Sequence, residues 1–180
     1  MRVIAGRLGG RRLQAPRGSA TRPTSDRVRE ALFAMLGELD GARVLDLFAG
    51  TGALGIEALS RGAATAVFVE RDADALRALN ANLRTLAIPE ESAQVRRGDA
   101  LAALRSARER KETYDLVFID PPYRQAREWG PELSAMLPVL LGPDARVVVE
   151  SDRRAPLQLE LTVERERRYG DTSITIHRHQ

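Results

Sequence analysis

The run Arg43-Val44-Leu45-Asp46-Leu47-Phe48-Ala49-Gly50-Thr51-Gly52-Ala53-Leu54-Gly55-Ile56-Glu57-Ala58-Leu59 decides the fold. An apolar strand runs into a glycine loop, and the loop opens a helix whose apolar positions recur at helical spacing. Gly50 and Gly52 let the backbone turn tightly and let a ligand reach the main chain with no Cβ in the way. Gly55 permits close packing of helix on strand. The loop spells G-x-G-x-x-G, so a dinucleotide site is one reading. Asp46 at the strand end favours another. A carboxylate there suits the ammonium of an amino-acid ligand and serves a pyrophosphate poorly, which points to S-adenosylmethionine.

Two further acids fall where such a ligand needs them. Glu70 ends the apolar run Ala66-Val67-Phe68-Val69 and could accept both ribose hydroxyls. The same spacing fits the ribose acid of a nicotinamide site, so Glu70 does not discriminate. Asp99 does: it follows a short strand around Gln94-Val95-Arg96, in Arg97-Gly98-Asp99-Ala100, where it could accept the adenine amino group. A helix N-cap or a solvated loop explains any one of these acids. Three at the ends of successive strands, bordering one crevice, favour a shared ligand.

Downstream, Tyr114-Asp115-Leu116-Val117-Phe118-Ile119 reads as a buried strand and runs into Asp120-Pro121-Pro122-Tyr123. The Asp120 carboxylate is one hydrogen-bond acceptor. The Pro121 carbonyl is a second, its direction restricted by Pro122. Tyr123 offers a ring face for an extruded base. Together they suit a planar amino group about to be methylated. Asp-Pro-Pro as a mere strand-ending turn is the plain structural alternative, and the glycine loop upstream weighs against it.

Strand and helix alternate along the chain. Strands are expected near 43–48, 65–70, 93–97, 114–119 and 145–150, with helices near 53–61, 72–86, 99–110 and 128–140. Such alternation implies a doubly wound parallel sheet. Two final strands, near 157–168 and 172–178, meet at Gly170-Asp171 and should add one antiparallel strand. Leu76, Leu79, Leu83 and Leu86 read as core. At the other end, Arg2 to Ala5 and Arg11 to Gln14 flank Gly9-Gly10 and resemble a β-hairpin arm. Residues 16–23 look like loop, and Thr24, Ser25 and Asp26 are candidate N-caps of a helix with Arg27 and Arg29 on its surface. The chain therefore divides into an arm (1–23) and a catalytic domain (24–180).

The 180 residues suffice for one full core, and their net charge is only +3. Residues 1–30 nevertheless hold Arg2, Arg7, Arg11, Arg12, Arg17, Arg22, Arg27 and Arg29 against Asp26 and Glu30. That excess is the footprint of a phosphate-backbone binder. Arginine-rich codon usage, suggested by Lys111 as the sole lysine, explains arginine over lysine but not the scarcity of acids. With no cysteine, disulfides and thiolate zinc sites are excluded and a cytoplasmic setting is expected. No apolar stretch of about 18 residues encodes a membrane span, and no signal peptide is evident. His177 and His179 suggest no metal cluster.

Taken together, these motifs closely resemble the RsmD-type 16S ribosomal RNA guanine-N2 methyltransferases. The likeness runs through Ile4-Ala5-Gly6, Gly10-Arg11-Arg12-Leu13, Arg22-Pro23-Thr24 and Asp26-Arg27-Val28-Arg29-Glu30-Ala31-Leu32-Phe33. It continues through Asp46 to Gly52, Glu70, Gly98-Asp99 and Asp120 to Tyr123, and ends at Tyr169-Gly170-Asp171-Thr172. The resemblance implies a Rossmann-like class I fold with a seven-stranded, mostly parallel sheet. It implies S-adenosylmethionine as donor, held by Asp46, Phe48, Gly50, Gly52, Glu70, Arg71, Asp99 and Ala100. Asp120, Pro121, Pro122 and Tyr123 would be catalytic. Arg11, Arg12, Arg22, Thr24 and Arg27 would hold RNA. The implied target is one guanine of 16S rRNA, a guanine 966-type site, in the small subunit or its assembly intermediate. A monomer suffices and no metal is needed. Methylation of adenine N6 or cytosine N4 in DNA or another RNA is one alternative, and a non-catalytic RNA-binding module is another.

Overall fold

The computed structural model describes residues 1–16, 25–121 and 126–180, with the backbone alone for 126–128. In chain order the elements are α1 (Asp26–Leu36), β1 (Arg43–Asp46), α2 (Ala53–Ser60), β2 (Thr65–Glu70), α3 (Ala73–Thr85), β3 (Ala93–Arg97), α4 (Ala100–Glu109), β4 (Tyr114–Ile119), α5 (Ala126–Met136), β5 (Leu141–Asp152), β6 (Thr162–Tyr169) and β7 (Thr172–Arg178). The helix starts are set by capping. Ser25 accepts from the Val28 N–H at 3.3 Å, Asp72 from Ala75 at 2.8 Å, and Asp99 from Leu101 at 3.0 Å.

Among the described residues seven strands form one sheet in the order β3-β2-β1-β4-β5-β7-β6. All run parallel except β7, which is antiparallel to both β5 and β6. The central strands are covered on both sides, so they need apolar residues at every position. Phe68 and Phe118 face a core built with α1, α2 and α3; Val67, Val69, Val117 and Ile119 face a second core under α4 and α5. This three-layer α/β arrangement is the Rossmann-like fold expected from the strand–helix alternation. The edge strand β6 is exposed along nearly its whole length.

The N-terminal arm differs from expectation. Its two limbs form a short antiparallel pairing at the Arg2–Arg12 bridge, with Val3 N–H donating to the Arg11 carbonyl at 2.9 Å and Leu13 N–H to the Met1 carbonyl at 3.1 Å, and a 3-10 turn at Gly6–Leu8 between them. Helix side chains claim the backbone groups that a longer ladder would use. Ile4 and Ala5 N–H donate to Glu57 at 2.6 and 3.1 Å, and Leu8 N–H donates to Ser60 Oγ at 3.0 Å. Val3, Leu8 and Leu13 are buried, so the arm lies against the domain.

Arg29, expected on the surface, is fully buried. Its Nη2 donates to the Arg2 carbonyl and to Asp26 Oδ1 (2.7 Å), and Glu57 lies 3.9 Å from Nη1. The last helix begins at 126 and stops at 136, followed by a 3-10 turn at Pro138–Leu140; β6 starts at 162 rather than 157.

Candidate active site

Chain reversal creates the crevice. β1, β2 and β3 wind outward in one direction, while β4 and β5 lie on the other side of β1, so the topological switch falls between β1 and β4. Ligands of open α/β sheets bind outside the carboxyl ends of the strands at this point. Five acids line that edge in sheet order: Asp99 after β3, Glu70 on β2, Asp46 on β1, Asp120 after β4 and Glu150 on β5. Asp46 pairs in register with Phe118, so Asp120 lies just beyond it on the neighbouring strand.

These acids are held differently. Glu70 Oε2 accepts from Gly50 N–H at 2.8 Å, and its Oε1 accepts from Arg71 and Asp72 N–H at 2.8 Å each. It thus fastens the glycine loop to the end of β2. Asp99 caps α4, whose first residue, Ala100, is buried. Asp46 is 2% exposed and accepts from Gly55 N–H at 3.1 Å. Burial, reinforced by the Glu70 charge, pushes its carboxyl up to about 7 against the bonds from Gly55 and Phe48. Asp120 is partly exposed, and its carboxyl is raised well above the usual range by desolvation and by Glu150 and Asp46. No ion pair reaches Asp46 among the described residues. A crevice in which Asp46 and Asp120 carry raised carboxyls fits a cationic ligand.

The three glycines do separate work. A Cβ on Gly50 (φ +54°) would meet nothing within 4 Å, so that face of the loop is open to a ligand. A Cβ on Gly52 (φ +82°) would lie 2.4 Å from Leu79 Cδ1, and one on Gly55 would lie 2.3 Å from the Phe68 ring. Gly52 and Gly55 therefore serve packing, and Gly50 alone is free to serve approach.

Phe48 packs edge-on against Trp129 of α5, with ring centroids 5.1 Å apart. Pro121 is buried beside Asp120, whereas Pro122 and Tyr123 lie outside the described residues, as do Arg22 and Thr24. Arg11, Arg12 and Arg27 are exposed, and Arg11 donates to the Thr85 carbonyl at 2.9 Å. Surface clefts of about 550 and 530 Å³ lie away from the acids, one beside α5 and one near Arg43 and Tyr114.

Sequence reasoning missed Glu57, Ser60, Asn82, Glu150 and Trp129. Glu57 is legible in hindsight as a lone acid inside the apolar turn Leu54 to Leu59, and Asn82 falls on the same helical face as Leu79 and Leu86.

The family model described as Conserved hypothetical protein 95 matches residues 1–178. YlbH of Bacillus subtilis, by name a candidate rRNA methyltransferase, is 42% identical and aligns over 99% of this chain and 98% of its own. This chain belongs to the RsmD-type methyltransferase family. Another relative is the Ribosomal RNA small subunit methyltransferase D of Haemophilus influenzae, 36% identical over 87% of this chain and 81% of that protein. Among solved structures, yhhF of Escherichia coli, a candidate methyltransferase by name, superposes with a TM-score of 0.84 at 35% identity. That match covers 100% of this chain and 98% of the other, so the RsmD-type likeness includes the arm.

Proposed function

We propose that this chain methylates the exocyclic N2 of one guanine in 16S rRNA, within the small subunit or an assembly intermediate, in the cytoplasm. The observation that carries the reading is Asp120 placed beside Asp46 at the switch point, in a chain that matches RsmD-type enzymes along its whole length. The donor of such enzymes is S-adenosylmethionine, which when bound supplies a methyl group on a cationic sulfur. Asp46 would hold its ammonium, Glu70 the ribose hydroxyls, and Asp99 with Ala100 the adenine edge. Phe48, Gly50 and Arg71 would complete the walls, with Gly52 shaping the loop behind them.

Guanine N2 is a weak nucleophile because its lone pair is delocalised into the ring. Asp120 and the Pro121 carbonyl would accept its two N–H bonds and favour a more tetrahedral nitrogen. Positioning of this kind can supply roughly 7–11 kcal/mol. The electrostatics of Asp120 add to it: burial and the Glu150 and Asp46 charges raise its carboxyl, and positive charge growing on the amine would favour its ionised form. Pro122 and Tyr123 would continue the base-binding wall, and Arg11, Arg12, Arg22, Thr24 and Arg27 would hold the RNA backbone.

Transfer of tritium from labelled donor tests the reading. Label should enter 16S rRNA of 30S subunits from a strain lacking this gene and be recovered as N2-methylguanine. Label in naked DNA, or at adenine N6, would replace the proposal with the DNA or adenine reading. No transfer to any nucleic acid would leave a non-catalytic RNA-binding module.

A further inference from the structure

Asn82 sits on α3, is 1% exposed, and joins two parts of the molecule with different tasks. Its Nδ2 donates to the Thr51 carbonyl at 3.0 Å, inside the glycine loop. The same Nδ2 donates to the Gln14 carbonyl at 3.2 Å, and Oδ1 accepts from Gln14 N–H at 2.7 Å, in the arm. All three partners are backbone groups of fixed donor or acceptor character, so they determine which way the amide points. Glu70, just before the Asp72 cap of α3, also grips the loop, through Gly50 N–H. Thr51 thus lies next to Gly50, which Glu70 holds, and its own carbonyl leads through Asn82 to the arm.

We infer that Asn82 is a positioning residue that couples the donor loop to the arm, so that filling the donor site tightens RNA binding and RNA tightens donor binding. This rests on the reading of the arm as an RNA contact. Ordering the loop fixes the Thr51 carbonyl, which holds the Asn82 amide in the orientation that docks Gln14 and sets the arm in place. Thermodynamic linkage makes the effect reciprocal.

The test uses the full chain with S-adenosylhomocysteine as donor-site probe and 30S subunits as RNA probe, each affinity measured with and without the other. Wild-type protein should show a coupling factor in the usual range of about 5- to 150-fold. Asn82→Ala should bring the factor to near one while each probe still binds alone. Gln14→Pro, which removes the N–H that Asn82 Oδ1 accepts and leaves the Thr51 bond, should do the same and decides the matter if Asn82→Ala fails to fold. A clamp with only a structural role would lower the melting temperature in both variants and leave the factor unchanged. Such a result, or a wild-type factor of one, overturns the inference. Separately, an Arg11→Ala, Arg12→Ala double variant that bound 30S subunits like wild type would refute the arm as RNA contact, whatever Asn82 did.

Discussion

The two ends of one sheet treat charge in opposite ways. Toward the amino ends, where α4 hands the chain to β4, Arg96 grips Glu112 with two bonds of 2.8 Å. Tyr114 and Arg110 donate to the same carboxylate at 2.6 and 2.7 Å. Burial alone would raise Glu112, but these bonds outweigh it and bring the carboxyl down to about 2. Nearby, Arg43 holds Asp115, whose carboxyl is also lowered despite partial burial. Across the sheet, at the carboxyl ends, Asp46 and Asp120 move the other way. One end has matched its charges and gains stability from them. The other keeps Asp46 and Asp120 in costly surroundings, where a cationic ligand or a developing positive charge would repay the burial.

The strongest break in this contrast is Asp120→Ala. Methylation should fall by at least about 100-fold, in line with loss of a transition-state hydrogen-bonding group. Affinity for S-adenosylhomocysteine should be kept, as measured by calorimetry beside single-turnover label transfer. Near-normal methylation by that variant would remove Asp120 from the acceptor role.

Asp46→Asn comes next. Loss of its charge should weaken S-adenosylhomocysteine by about 10- to 100-fold, the equivalent of about 1.4–2.8 kcal/mol. In the unchanged protein the folded state holds the Asp46 proton up to about 7, against an ordinary 3.8. The group therefore weakens folding progressively as pH rises through that window. Ligand affinity should show the reverse trend, rising with pH to a plateau above about 7. A flat profile from pH 5 to 8 would mean that the ammonium is held elsewhere.

Glu112→Gln probes the opposite end and should cost about 1–3 kcal/mol at pH 7, since hydrogen bonds to a charged group are lost. Its depressed carboxyl contributes stability that is complete above its ordinary 4.5 and disappears as pH falls through about 2. Melting curves of variant and parent should converge over that acid range. Methylation at pH 7 should be unchanged. The smallest effect belongs to Asp115→Asn, whose pair with Arg43 is exposed at 38% and 48%; less than about 1 kcal/mol is expected, fading in high salt.

The sheet was legible because burial on both faces leaves few choices of residue. β2 and β4 occupy the stretches their apolar runs indicate, the edge strand β3 falls around Val95 as expected, and Gly170-Asp171 turns β6 into β7. Asp46, Glu70 and Asp99 also stand at successive strand ends, a consequence of alternation alone. The arm was less legible because its shape depends on groups far away in sequence. Nothing within residues 1–16 says that Glu57 and Ser60 will take over the backbone bonds of a hairpin ladder. Arg29 misled for the same reason: an arginine in a basic segment reads as surface, yet Asp26, Glu57 and the Arg2 carbonyl receive it in the interior. The raised carboxyl of Asp120 depends partly on Glu150, a neighbour fixed by β5 lying beside β4.

The docking of the arm also sets an order of events during synthesis. The arm is made before the elements it docks on: Gln14 bonds to a side chain 68 positions later, and Ile4 to one 53 positions later. At roughly 5–20 residues per second, that wait lasts several seconds. The arm settles only once its partners on α2 and α3 have been made. Until then a tail carrying Arg2, Arg7, Arg11 and Arg12 hangs undocked beside the translating machine.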